Sequence, residues 1–139
     1  MNVSGTWFNQ LGSYMILHVK GKNITGQYHT PVGSASGVYE LTGKIDTDND
    51  ASTAIGWVVL WNNQTGSSDS VTAWSGQVQV ISGEERIVTT WLLTTETDAD
   101  DAWHSTLVGK DIFTRFEVSP EVRQANLLKG VRSSSPKIK

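Results

Sequence analysis

From Gly5 to Phe116 the chain is a succession of strand-like runs separated by turn residues, with no helical pattern between them. Runs 5–11 and 14–20 are split by Gly12-Ser13, and Gly21-Lys22-Asn23 turns the chain into 24–30. Run 38–45 follows a Gly- and Ser-rich loop, and the acidic loop 46–52 leads into 54–62. Runs 70–80 and 85–94 flank the turn Ser82-Gly83-Glu84, and 105–116 follows the Asp98 to Asp101 cluster. Short strands at this spacing predict an all-β antiparallel barrel or sandwich. Eight of them suffice to close an up-and-down β-barrel around one small ligand. A chain of 139 residues is one domain's worth of sequence.

The aromatic content narrows the choice. Trp7, Trp57, Trp61, Trp74, Trp91 and Trp103 are half of all the aromatic residues, beside three Phe and three Tyr. Aliphatic side chains fill a core without a polar atom to satisfy, whereas each indole brings an N–H that needs a partner when buried. Each tryptophan could be ordinary core. Six of them along strands predict the walls of a rigid, partly empty cavity.

Side chains alternate along a strand, so parity names the inner face. Trp7, Asn9 and Leu11 share one face, with Ser13 just beyond, and Tyr28 and Thr30 share another. Trp57, Val59 and Trp61 form the next, followed by Ser70, Thr72 and Trp74. The last are Thr89, Trp91 and Leu93, then Leu107, Gly109 and Asp111. Indoles mixed with small polar groups suit a ligand pocket better than a dry core. Val88, Thr90, Leu92, Thr106 and Val108 point the other way, so the last two strands are apolar on both sides. Such an exterior predicts association with another subunit, or cover by the chain's own tail.

Beyond residue 116 the pattern changes. Ser119 is a good N-cap with Pro120 next, and Gly130 is a stop, which predicts a short helix over 120–128. Residues 132–139 read as polar and disordered. The division is therefore a barrel domain at 1–116 and a tail at 117–139, which either folds over the barrel mouth or frays.

Other classes find little support. The formal charge of −3 gives no basic face for nucleic acid. The longest apolar run, 54–61, is too short to span a membrane. With no cysteine there is no thiolate nucleophile or disulfide framework. His18, His29 and His104 have no metal-binding spacing, and there is no Gly-x-Ser-x-Gly turn, so neither a metal nor a catalytic site is expected. Residues 1–4 lack the basic and apolar regions of a signal peptide.

Gly5-Thr-Trp-Phe-Asn-Gln-Leu-Gly-Ser13 resembles the opening strand of the avidin and streptavidin family. The likeness continues through Thr25-Gly-Gln-Tyr28, Leu41-Thr-Gly43, Ala54-Ile-Gly-Trp57, Trp74-Ser-Gly76, Thr90-Trp-Leu-Leu-Thr94 and Trp103-His-Ser-Thr-Leu-Val-Gly-Lys-Asp111. It covers 4–116 and is closest in look to the bacterial streptavidins.

The resemblance implies high-affinity, non-catalytic binding of biotin, with no cofactor, in a secreted homotetramer. Asn9, Ser13 and Tyr28 match the donors to the urea oxygen; Asp111 and Thr30 match the acceptors of its N–H groups. Thr30 stands where streptavidin-like chains usually carry Ser. Thr72 matches the residue facing the ring sulfur. Ser70 and the Ser34 backbone match contacts to the valerate carboxylate. Trp61, Trp74 and Trp91 would enclose the rings beside Leu11, and Val32 belongs to a loop, Val32-Gly33-Ser34-Ala35, that closes over ligand. Trp103 would reach into a neighbouring subunit's pocket, while Trp7 and Trp57 would seal the closed end. The chain departs from the pattern at 64–69, at Lys110 and in the loop 80–85, which bear on the carboxylate end and the weaker subunit contact.

Two other readings compete. A lipocalin-like carrier fits the short Gly5-Thr6-Trp7 pattern, although the polar lining suits a compact polar head better than a lipid. A purely structural oligomer would leave the convergent donors unexplained.

Overall fold

The computed structural model describes residues 2–30, 37–46, 52–63 and 66–136. Eight strands, β1 (Gly5–Phe8), β2 (Tyr14–Lys20), β3 (Asn23–His29), β4 (Val38–Ile45), β5 (Ser52–Asn63), β6 (Gly66–Ile81), β7 (Glu84–Thr95) and β8 (Thr106–Thr114), pair in sequence order as a closed barrel. Every pairing is antiparallel. A 3-10 helix, Ala99–His104, precedes β8, and α1 (Pro120–Leu128) follows it.

Alternation puts the interior where parity expects it. In β5, residues 53, 55, 57, 59 and 61 are buried while 54, 58 and 60 are exposed. Trp57 and Trp74, cross-strand partners, stack with centroids 5.5 Å apart, and Phe113 meets Trp57 edge-on at 5.5 Å. Trp91 lies across Gly109, its partner on β8; a Cβ there would come within 2.2 Å of the indole. Only glycine leaves room for that ring.

One end of the barrel is sealed. Trp7 is fully buried and donates its indole N–H to the Val3 carbonyl at 2.9 Å. The Arg115 guanidinium sits 3.8 Å from the Trp7 ring centroid, donates to the carbonyls of Ser4 and Asn2, and pairs with Glu85 at 3.2 Å. A cation over an indole face, tied by several hydrogen bonds, is a firm lid.

Four sequence expectations need correction. β1 ends at Phe8, not Leu11, because the Asn9 side chain accepts hydrogen bonds from the Leu11 and Ser13 N–H groups and turns the chain. β6 starts at Gly66, earlier than expected, across an irregularity between Leu60 and Asn62. The acidic cluster is mostly 3-10 helix rather than loop. Leu107, read as inward, is 44% exposed. Its neighbour on the far side is missing, since β1 pairs with β8 only at Phe8↔Thr114.

The helix over 120–128 forms as the sequence expects, with the Ser119 hydroxyl accepting from the Val122 N–H at 3.2 Å. Gly130, at φ 77°, turns the chain away from it.

Candidate functional site in the barrel interior

The turn between β1 and β2 sets the first polar group. The Asn9 amide oxygen is occupied by the Ser13 N–H at 2.9 Å and the Leu11 N–H at 3.0 Å. Its NH2 must therefore face inward, where it lies 3.5 Å from the Tyr28 hydroxyl. A local turn thus fixes Asn9 as a donor into the barrel. Ser13, buried on the same turn, directs its hydroxyl to Thr30 Oγ1 at 3.4 Å.

Asp111, on β8, is fully buried. The Trp74 indole donates to its Oδ2 at 2.9 Å, and the Gln10 amide donates to its Oδ1 at 2.9 Å. Burial pushes the Asp111 carboxyl above its ordinary range, and hydrogen bonds from Trp74, Ser134, Gln10 and Asn9 pull it part of the way back. Burial also raises the Tyr28 phenol, with the Asp111 charge adding to the effect, so Tyr28 is a neutral donor at any physiological pH.

Indoles and phenols wall this polar group. Tyr28 meets Trp61 edge-on at 5.6 Å and Trp74 at 5.1 Å. Trp61 donates its indole N–H to Thr72 Oγ1 at 2.8 Å and has Tyr39 against its ring at 4.9 Å. The Trp91 and Trp57 indole N–H groups are buried without a partner among the described residues. Ser70, also buried, shares a 2.7 Å hydrogen bond with Ser68 nearer the rim.

The structure thus brings Asn9, Leu11, Ser13, Tyr28, Thr30, Trp61, Ser70, Thr72, Trp74, Trp91 and Asp111 to the buried side of one barrel. Val32 and Ser34 lie outside the described residues. Trp103 lies apart from this interior, on the 3-10 helix, 83% exposed.

Three participants were missed by sequence reasoning. Gln10 has outward parity, yet after β1 ends it bridges the weak β1–β8 seam, donating to the Lys110 carbonyl at 3.2 Å and accepting from the Ile112 N–H at 3.1 Å. Tyr39 has inward parity in β4 and could have been found from it. The third is in the tail, where the expected disorder of 132–139 is overturned for its first part. Ser134 and Ser135 are 1% and 4% exposed. The Ser134 carbonyl accepts from Thr72 Oγ1 at 2.7 Å, and its hydroxyl lies 3.5 Å from that of Tyr28. Small uncharged hydroxyl residues can enter a polar interior that would reject a charged side chain.

A closed barrel whose buried face converges donors and one carboxylate inside an aromatic wall defines a small-ligand binding protein. Comparison with known proteins narrows the class. The Avidin family model matches residues 1–116. Avidin of Gallus gallus is 33% identical over 128 residues, covering 86% of this chain and 82% of its own. Afifavidin of Afifella pfennigii is 36% identical over 95 residues, 66% of this chain and 57% of its own. Fibropellin-1 of Strongylocentrotus purpuratus is 29% identical over 122 residues, 85% of this chain but 11% of that much longer protein. The chain belongs to the avidin family. Proteins of that family bind biotin and are non-catalytic, which places the chain among binding proteins rather than enzymes. Among the described residues no helix is long and apolar enough to cross a membrane.

Proposed function

We propose that the barrel interior binds biotin, the bicyclic urea, with its urea at the Asn9–Asp111 end. The observation that carries this reading is the convergence of opposite hydrogen-bonding needs at one buried place. Asn9, Ser13 and Tyr28 supply donors for a carbonyl-type oxygen; Asp111 and Thr30 supply acceptors for N–H groups. A cyclic urea presents that same combination in reverse. Donors fixed in a dry site act strongly on such an oxygen because nothing need reorganise when it arrives. Trp61, Trp74 and Trp91 give the ring system an apolar wall, and Thr72 would face the sulfur. Ser70, with Val32 and Ser34 of the loop, would attend the valerate arm.

Calorimetric titration tests the reading. Biotin should bind saturably at one site per chain, whereas retinoids and fatty acids should give no heat. Binding of those lipids with none of biotin would favour a lipocalin-like carrier instead.

The reading extends to a secreted homotetramer in which Trp103 completes a neighbour's pocket. Its support is apolar surface: Val58, Leu60, Val71, Leu92, Val108 and Ile112 are all substantially exposed on the barrel exterior. A soluble monomer rarely shows so much contiguous apolar area. Trp103→Ala should therefore speed biotin release roughly thirtyfold, the effect of losing about 2 kcal/mol from a buried tryptophan contact. It should also lower the oligomer mass seen by sedimentation at low concentration. Unchanged release and mass would refute the shared pocket.

A further inference from the structure

The barrel interior is not vacant. Residues 133–136 enter it, and they engage groups proposed above for the ring sulfur and for the urea end. The Ser134 carbonyl takes the Thr72 hydroxyl proton at 2.7 Å. The Ser134 hydroxyl stands 3.5 Å from the Tyr28 hydroxyl, which is itself 3.5 Å from the Asn9 amide. A ligand ring and this serine cannot share that space.

The approach of the segment is also built. No residue of α1 is buried, so the helix is not held by a core of its own. It is pinned to the barrel mouth by the Asn126 amide, which donates to the Gln10 carbonyl at 2.9 Å. Gln10 is the residue whose side chain reaches Asp111. Gly130 then reverses direction, and the Val131 N–H closes onto the Asn126 carbonyl at 3.1 Å. Four residues later the chain is inside the barrel. The helix is a tether of fixed length that aims the serine run at the mouth.

We infer that residues 133–136 are an intrinsic peptide ligand of the barrel: they occupy the interior site of their own chain, and a small ligand binds only by displacing them. The inference deepens the biotin reading and rests on it for the identity of the displacing ligand. Three serines and a proline are suited to the task. They carry no charge, they are small, and their hydroxyl and carbonyl groups answer a polar interior. The fit is incomplete, since the Ser135 hydroxyl is buried without a partner among the described residues. An unmet buried hydroxyl weakens the plug relative to a ligand that satisfies every group. Being tethered, the segment is always present at high effective concentration, so even a weak fit competes.

Two variants test the inference: a chain ending at Gly130, and full-length Ser134→Arg, whose side chain is too large and too charged to enter. Both should bind biotin with an apparent dissociation constant at least about tenfold lower than the intact chain, as for a segment in place in nine molecules of ten. The difference should not change with protein dilution. Equal affinity in all three forms overturns the inference, and an effect that vanishes on dilution overturns its intramolecular form. A synthetic peptide of residues 131–139, titrated into the shortened chain and followed by tryptophan fluorescence, reads the plug without biotin. Saturable binding at peptide concentrations up to the roughly millimolar level a short tether supplies supports the plug, and no binding in that range overturns it. If neither form binds biotin while the peptide does, the biotin reading fails and the peptide site stands.

Discussion

Biotin at a free concentration a thousand times its dissociation constant should raise the unfolding temperature by roughly 10–20 °C. A ligand bound only by the folded form adds about 4 kcal/mol at that excess. For a domain of this size each kcal/mol moves the midpoint by roughly 3–5 °C. The site is assembled from the β1–β2 turn and from β3, β5, β6, β7 and β8 together, so no partly unfolded barrel retains it. That is the condition under which mass action acts on global unfolding. At one common biotin concentration the intact chain should shift less than the chain ending at Gly130, because the serine segment already stabilises the apo barrel and must leave. Differential scanning calorimetry with and without biotin reads both effects. No shift in either form would remove biotin as the ligand.

Asp111→Ala should weaken biotin by about 2–3 kcal/mol, roughly 30- to 150-fold, as for loss of a charge-assisted hydrogen bond. The substitution removes the acceptor proposed for a urea N–H, and it also takes away the partner of the Trp74 indole N–H and one of the two acceptors of the Gln10 amide. Unchanged affinity by calorimetric titration would refute the role of Asp111.

The pH dependence follows from the same group. Its carboxyl is raised above the ordinary value by burial. The protonated form is therefore favoured by folding. Its contribution to stability is full below the ordinary carboxylate range and is lost as pH rises through the raised value. Above that raised value the buried carboxylate opposes folding, so there Asp111→Asn, which keeps one acceptor oxygen, should not lower the apo melting temperature. Binding runs the other way, because the ionised form accepts best: biotin affinity should fall as pH drops through the raised value. A site group that weakens the empty fold and strengthens the complex is what a binding role predicts and a structural role does not.

Much of this arrangement could be read from residue order. Period-two alternation placed Trp57, Trp61, Thr72, Trp74 and Trp91 inside, because a barrel with a buried interior punishes any slip of register. Ser119, Pro120 and Gly130 marked the helix and its stop through local capping chemistry. What escaped was decided by contacts distant in sequence. Gln10 reaches Asp111 only because β1 stops short and the seam to β8 must be bridged by a side chain. Leu107 has the right parity and pairs with Leu93 on β7, but no strand covers its β1 side. The serine run looked like solvent-facing tail because nothing local distinguishes a hydroxyl meant for water from one meant for a polar interior.

The most direct measurement is a crystal structure of the biotin-saturated protein. The urea oxygen should lie within about 3.2 Å of the Asn9 amide and the Ser13 and Tyr28 hydroxyls, with a urea N–H on Asp111 and residues 133–136 outside the barrel. Biotin lodged elsewhere, with the serine segment still among Thr72 and Tyr28, would contradict this placement.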